Sequence, residues 1–132
     1  MTDLVAGQVQ MMFDPLTSSI EHIRAGKVRP LAVTASMRSE VLPDLPTAGD
    51  FVSGYEASSW SGVGAPRNTP VDIVERLNKE ITVGLANPNI RARLVGLGTT
   101  VFPSSPTEFG KLLADETEKW ASVIKFAGIR AQ

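Results

Sequence analysis

The stretch YEASSWSGVGAPRNTP, Tyr55 to Pro70, divides the chain into two halves that obey different sequence rules. Upstream, short apolar runs alternate with short helical patterns, whereas downstream almost every segment repeats at helical spacing. The stretch itself changes character midway. Tyr55, Ala57, Trp60, Val63 and Ala65 give an apolar-rich run that reads as a strand and stops at Pro66. Thr69 is then placed to cap a helix, with Pro70 at its first position and Asp72 near the positive end of its dipole. A strand that hands over to a helix at this point makes it a crossover between two parts of the fold.

In the first half, Val9 to Phe13 is short and almost wholly apolar, ends at Asp14-Pro15, and reads as a buried strand. Thr17, Ser18 or Ser19 can cap a short helix carrying Ile20 and Ile23, and Val28 to Thr34 reads as a second buried strand. One phrase occurs twice, VAGQVQMMF at 5–13 and RAGKVRPLAV at 24–33, each a helix end, a glycine, a polar residue and a strand. Two such strands joined by a helix predict a right-handed parallel βαβ unit, with Pro30 marking an edge or a bulge because it offers no N–H. From Ser36 to Ser53 the text is irregular, with one short helical turn opened by Pro46-Thr47.

In the second half, Ile73, Val74, Leu77, Ile81, Gly84 and Leu85 recur at helical spacing. Asn87-Pro88 ends that helix and starts another through Ile90, Leu94 and Leu97 to Gly98, after which Thr99 to Phe102 is a short strand candidate. Ser105-Pro106-Thr107-Glu108 is a capping box, and Phe109, Leu112, Leu113, Trp120, Val123, Ile124 and Ala127 follow on one face to Gly128, which predicts a last helix of about 22 residues. Trp120 falls in register with this stripe and is expected in a core.

Composition excludes several kinds of function. With 132 residues and 42% hydrophobic content, the chain is long enough for a globular core. A net charge of -1, with basic residues scattered among acidic ones, supplies no field for nucleic acid, so no nucleic-acid partner is expected. There is no cysteine and only one histidine, His22, which leaves no thiolate zinc site and no material for a histidine-based metal site or triad. No metal and no cofactor are expected. Gly62-Val63-Gly64-Ala65-Pro66-Arg67 starts like a dinucleotide fingerprint, but Arg67 stands where the third glycine belongs and Pro66 where the helix should begin. Ser59 and Ser61 lack the flanking glycines of a nucleophile elbow, and Glu116 and Glu118 read as solvated charges, so no catalytic residue is assigned. No apolar run reaches the roughly 18 to 20 residues that cross a bilayer, and Met-Thr-Asp-Leu does not open a signal peptide.

Asp14 to Ser19 is the segment with binding chemistry. It leaves the end of the first strand and leads into a helix N-terminus, where free N–H groups and the dipole favour an anion such as a carboxylate. Thr17, Ser18 and Ser19 add hydroxyl donors, Pro15 shapes the turn, and Asp14 adds an acceptor suited to a hydroxyl or ammonium group. On spacing alone, a helix cap and turn accounts for the same residues.

Several of these phrases occur together in one known family. The run LVAGQVQMMFD, then IRAGKVRPLAVTASMRSEVLPDLPT, then WSGVGAPRNTP and the closing Ala-Gly-Ile near Ile129, resemble the extracytoplasmic solute receptors of tripartite tricarboxylate transporters, the Bug family. The resemblance covers nearly the whole chain and rests on motifs in fixed order rather than on any one of them. It implies an α/β protein that forms part of a type II periplasmic-binding-protein fold: a parallel βαβ unit, a crossover strand and a helical C-terminal half. Residues 1–58 then correspond to part of the second lobe, and residues 59–132 to the crossover strand and the terminal helices of the first lobe. The first lobe's strands, an export signal and the remaining cleft loops would precede the position of Met1, so the chain is expected to be the C-terminal part of a receptor.

The resemblance further implies a small organic carboxylate as ligand, the loop Asp14 to Ser19 at the cleft, membrane transporter subunits as partners, a periplasmic location and no catalysis. The alternative is a truncated domain that binds no solute and folds as an oligomer. Either way the stripes Ile73, Leu77, Ile81 and Phe109, Leu113, Trp120, Ile124 are expected to lack their usual partner, which predicts a homo-oligomer.

Overall fold

The computed structural model describes residues 1–130, which leaves the last two residues of the expected 59–132 segment outside the described residues. Five α-helices account for its regular structure: α1 (Thr2–Val5), α2 (Leu16–Arg24), α3 (Val71–Ala86), α4 (Pro88–Gly96) and α5 (Pro106–Ala127), with a single 3-10 turn at Ala48–Asp50. They belong to two compact units. The first contains residues 1–64 and 86–101, and the second contains residues 65–85 and the chain from Phe102 onward. The boundary at Gly64-Ala65 falls where the apolar run ends, and α4 groups with the first unit.

Local chemistry explains where most of these helices begin and end. The twice-used Ala-Gly phrase closes α1 and α2 in the same way: Gly7 (φ +75°) and Gly26 (φ +66°) take the left-handed conformation, and the next residue's N–H reaches back to a carbonyl in the helix. Those bonds are Gln8 N to Asp3 O at 2.8 Å and Lys27 N to His22 O at 2.9 Å, the Schellman arrangement that satisfies terminal carbonyls. Asn87 starts α4 by accepting from the N–H groups of Asn89 and Ile90, with Pro88 following it. Ser105 and Glu108 form the expected capping box of α5, Gly128 closes that helix at φ +66°, and its length is the 22 residues anticipated.

A second capping box was not legible in full. Thr47 accepts from Asp50 N, while the Asp50 carboxylate accepts from Thr47 N at 3.1 Å and pairs with Arg38 at 3.6 Å. Hydrogen bonds from Thr47, and then the Arg38 charge, hold the Asp50 carboxyl below its ordinary pKa, and bonds from Ser105 do the same for Glu108. A depressed folded-state pKa adds stability above the unfolded value and loses it as pH falls through the folded one. Acidification below the ordinary carboxylate range should therefore loosen both boxes together, seen as a loss of protection of the Thr47 and Ser105 amides relative to their intrinsic exchange rates while the protection of Asn89 is unchanged.

Three local expectations shift. Thr69 does not cap α3, because its hydroxyl donates to Pro66 O at 2.8 Å, and Pro70 precedes the helix with its carbonyl accepting from Ile73 and Val74. Thr17, Ser18 and Ser19 do not cap α2 either; the helix starts one turn earlier, with Pro15 as its cap residue. Thr99 to Phe102 forms no strand.

The strand runs show the largest difference in detail. The order of run, helix and run is present, but no ladder joins Val9–Phe13 to Val28–Thr34, and Trp60 to Ala65 joins no ladder. Instead Val33 makes an isolated parallel bridge with Thr47, donating to Pro46 O at 2.9 Å and accepting from Ala48 N at 2.7 Å. Met11, Met12 and Phe13 make no backbone hydrogen bond among the described residues. A strand is defined by its neighbours: among the described residues Val9–Phe13 and Trp60–Ala65 have none, and Val28–Thr34 has only the single bridge at Val33.

Burial follows the same logic. Ile20, 1% exposed, is the one large apolar side chain fully buried among the described residues. Trp120, expected in a core, is exposed, as are Ile73, Leu77, Ile81, Leu113 and Ile124. Within the second unit, Asn78 Nδ2 donates to Ser104 O at 2.8 Å and ties α3 to the approach to α5.

Candidate functional site

The candidate site is the start of α2, so its geometry depends on how that helix is begun and held. Pro15 fixes the entry, and its carbonyl accepts from the backbone N–H groups of Ser18 (3.0 Å) and Ser19 (3.3 Å). Ser18 Oγ lies 2.5 Å from Asp14 Oδ2 and 2.8 Å from Pro15 O, so its single proton is shared between a carboxylate and a carbonyl. Ser19 is buried, and its hydroxyl turns back onto Pro15 O at 3.2 Å. Thr17 is exposed, and its hydroxyl has no hydrogen-bond partner among the described residues.

Asp14, Pro15, Ser18 and Ser19 are thus brought together as one hydrogen-bonded turn, and Thr17 stands free beside it. The backbone N–H groups of Leu16 and Thr17 have no acceptor among the described residues, and no side chain caps the helix. These are the orphan donors of a helix N-terminus, available to an anion. Asp14 works against a bare anion by its charge and in favour of a ligand that carries a hydroxyl near its carboxylate.

Two contacts that sequence reasoning missed hold α2 in place. Arg24, paired with Glu21 at 2.6 Å, donates from Nη2 to Gly96 O at 3.0 Å, bringing a cation to the C-terminal end of α4. At the other end of α2, Gly98 (φ +82°) packs on Leu16 so closely that a Cβ added there would lie 2.7 Å from Leu16 Cγ. The end of α4 therefore braces both the first and the last residue of α2. Gly98 was legible as a helix terminator, but nothing local in the sequence names Leu16 as its neighbour.

Among the described residues no group of histidine, aspartate or glutamate side chains is arranged to hold a metal ion, and no helix is long and apolar enough to cross a membrane.

Comparison with known proteins identifies the scaffold that carries this turn. Residues 1–129 match the TctC model, described as the tripartite tricarboxylate transporter family receptor. The chain belongs to that family. A Pseudomonas sp. (strain P51) relative, the UPF0065 protein in the tcbD-tcbE intergenic region, is 41% identical over 125 residues, covering 93% of this chain and 37% of that protein. Among solved structures, the periplasmic binding protein BugD superposes with a TM-score of 0.85 at 35% identity, covering 99% of this chain and 45% of that one. MatC from Rhodopseudomonas palustris with bound malate gives a TM-score of 0.81 at 35% identity, covering 93% of this chain and 43% of that one. The fold is that of part of an α/β periplasmic binding protein, and this chain spans under half the length of these relatives. Members of this receptor family are solute-binding proteins, not a class of enzyme.

Proposed function

We propose that this chain serves in capturing a small organic carboxylate for a tripartite tricarboxylate transporter, in the periplasm, with the turn Asp14, Pro15, Thr17, Ser18 and Ser19 contributing to the ligand site. The observation that carries this reading is the uncapped start of α2, with the Leu16 and Thr17 amides unpaired, in a chain similar to a receptor solved with malate. In this reading one ligand carboxylate sits on those amides with the Thr17 hydroxyl, and a ligand hydroxyl donates to Asp14. Residues 1–58 belong to the second lobe and residues 59–132 to the crossover and terminal helices of the first, and the ligand passes to membrane subunits without chemical change.

Malate is the first probe. At a hundred times its dissociation constant a ligand stabilises the folded state by about 2.7 kcal/mol, which a thermal melt resolves. Asp14→Asn should weaken malate more than succinate, because only malate offers the hydroxyl. A panel of small carboxylates that moves neither the melting temperature nor the Thr17 and Ser18 amide signals sinks the proposal. It would favour the second reading, a non-binding domain that folds as a homo-oligomer, for which the exposed faces of α3 and α5 are the supporting observation.

A further inference from the structure

Between Asn78 and Ser104 the chain makes a closed excursion. It leaves the second unit at the end of α3, forms α4 inside the first unit, and rejoins the second unit at Phe102. The base of the excursion is clasped, because Asn78 Nδ2 donates to Ser104 O at 2.8 Å and so joins the outgoing helix to the returning segment. Its far part grips both ends of α2. Arg24 Nη2 donates to Gly96 O at 3.0 Å, and Gly98 packs on Leu16 with no room for a Cβ. A third hold, Arg91 to Glu40 at 3.7 Å, lies between half-exposed side chains and adds little.

The backbone between clasp and grip is stiff. Only Asn87 stands between Ala86, the last residue of α3, and Pro88, the first of α4. Pro88 confines Asn87 to extended backbone, φ -65° and ψ 124°, and the Asn87 side chain accepts from the Asn89 and Ile90 amides. At the other end, α4 is closed by Gly98 N to Val95 O at 2.7 Å and Thr99 N to Leu94 O at 3.1 Å, again the Schellman arrangement. A one-residue joint and a doubly bonded helix end leave few soft dihedrals in which a displacement could be absorbed.

We infer that α4 is a strap that carries the state of the second unit to the start of α2, so that the Leu16 and Thr17 amides respond to changes at the clasp. The physical content is a coupling free energy between the Asn78–Ser104 bond and α2, and such a coupling acts equally in both directions. The consequence for solute capture, that the second unit tunes the affinity of the turn, rests on the carboxylate reading. The coupling itself does not.

Amide exchange and NMR shifts of the whole chain test the strap without any ligand. Asn78→Ala opens the clasp and should lower the protection of the Ile20 and Ala25 amides about fivefold, the weight of one net hydrogen bond, and shift the Leu16 and Thr17 signals. Inserting Gly-Gly-Ser between Ala86 and Asn87 should abolish that response. Glu116→Ala removes the acceptor of Trp120 Nε1 on α5, in the same unit but outside the strap, and should leave α2 unchanged. In the reverse direction Arg24→Gln should shift the Asn78 side-chain amide signal, which keeps the test decisive should Asn78→Ala fail to fold. An α2 unmoved by a folded Asn78→Ala, or an Asn78 amide unmoved by Arg24→Gln, overturns the strap. So does a response to Asn78→Ala that survives the insertion or that Glu116→Ala reproduces. Malate titration is a separate arm, in which Asn78→Ala should weaken the binding shown by the unaltered chain. An unaltered chain that binds no malate ends the carboxylate reading and leaves the exchange result to decide the strap.

Discussion

Ile20→Ala should lower the stability of the first unit by about 2–5 kcal/mol, the range for removing a large aliphatic side chain from a packed site. At 1% exposure Ile20 is the one apolar side chain this unit removes fully from water among the described residues. With so little else buried, a loss of that size is comparable to the whole stability of a small domain. The far-UV helix signal of α2 should fall with it, since a nine-residue helix is not stable in isolation. Ile20→Val, which deletes one methylene, should cost only about 0.5–1.5 kcal/mol. Phe126→Ala removes a larger side chain, yet at 95% exposure it should move stability by no more than about 0.5 kcal/mol. Urea unfolding of the three variants checks the ranking, and equal effects from Ile20→Ala and Phe126→Ala would mean that the burial of α2 contributes nothing to the fold.

The contrast between those residues marks what the sequence can and cannot reveal. Helix ends were legible because their signals are local. Ser105 and Glu108, Asn87 and Pro88, and the two Ala-Gly phrases all act within about one turn of themselves, so residue type and spacing suffice. Family membership was legible for a different reason, since several such local phrases stand in a fixed order. Periodicity could name the apolar faces of α3 and α5 but not what covers them, because a stripe carries no information about its partner. The same limit applies to Val9–Phe13, whose composition says strand although it joins no ladder among the described residues. At the candidate site the residues of the turn were legible, but not their internal bonding. Ser19 turns inward, Ser18 is engaged with Asp14, and the free donors are the Leu16 and Thr17 amides. The braces on α2 were illegible because they join residues such as Arg24 and Gly96, 72 positions apart.

One of those braces carries a second large effect. Gly98→Ala should destabilise the first unit by about 2–5 kcal/mol through two separable terms. The first is conformational: at φ +82° a residue with a Cβ incurs the left-handed penalty of about 1–2 kcal/mol. Gly26 and Gly128 provide the reference for that term alone, because each has positive φ but open space where a Cβ would go. The second term is steric and belongs to Gly98, whose Cβ would lie 2.7 Å from Leu16 Cγ and 3.3 Å from Leu16 Cβ. Those atoms are not the flexible tip of the side chain, so relief requires Leu16 to change rotamer or the start of α2 to move, at the usual overpacking cost of about 1–3 kcal/mol. Gly98→Ala should therefore cost more than Gly26→Ala, and Leu16→Ala in the same chain should recover part of the difference, a coupling that a double-mutant cycle measures directly. Because Leu16 is the first residue of α2, the same substitution should displace the Leu16 and Thr17 amides and, if the proposed carboxylate site is there, weaken any malate binding that the melt detects, while Gly128→Ala leaves it unchanged. Equal stability costs at Gly98 and Gly26, with no coupling to Leu16, would show that the end of α4 does not position the site.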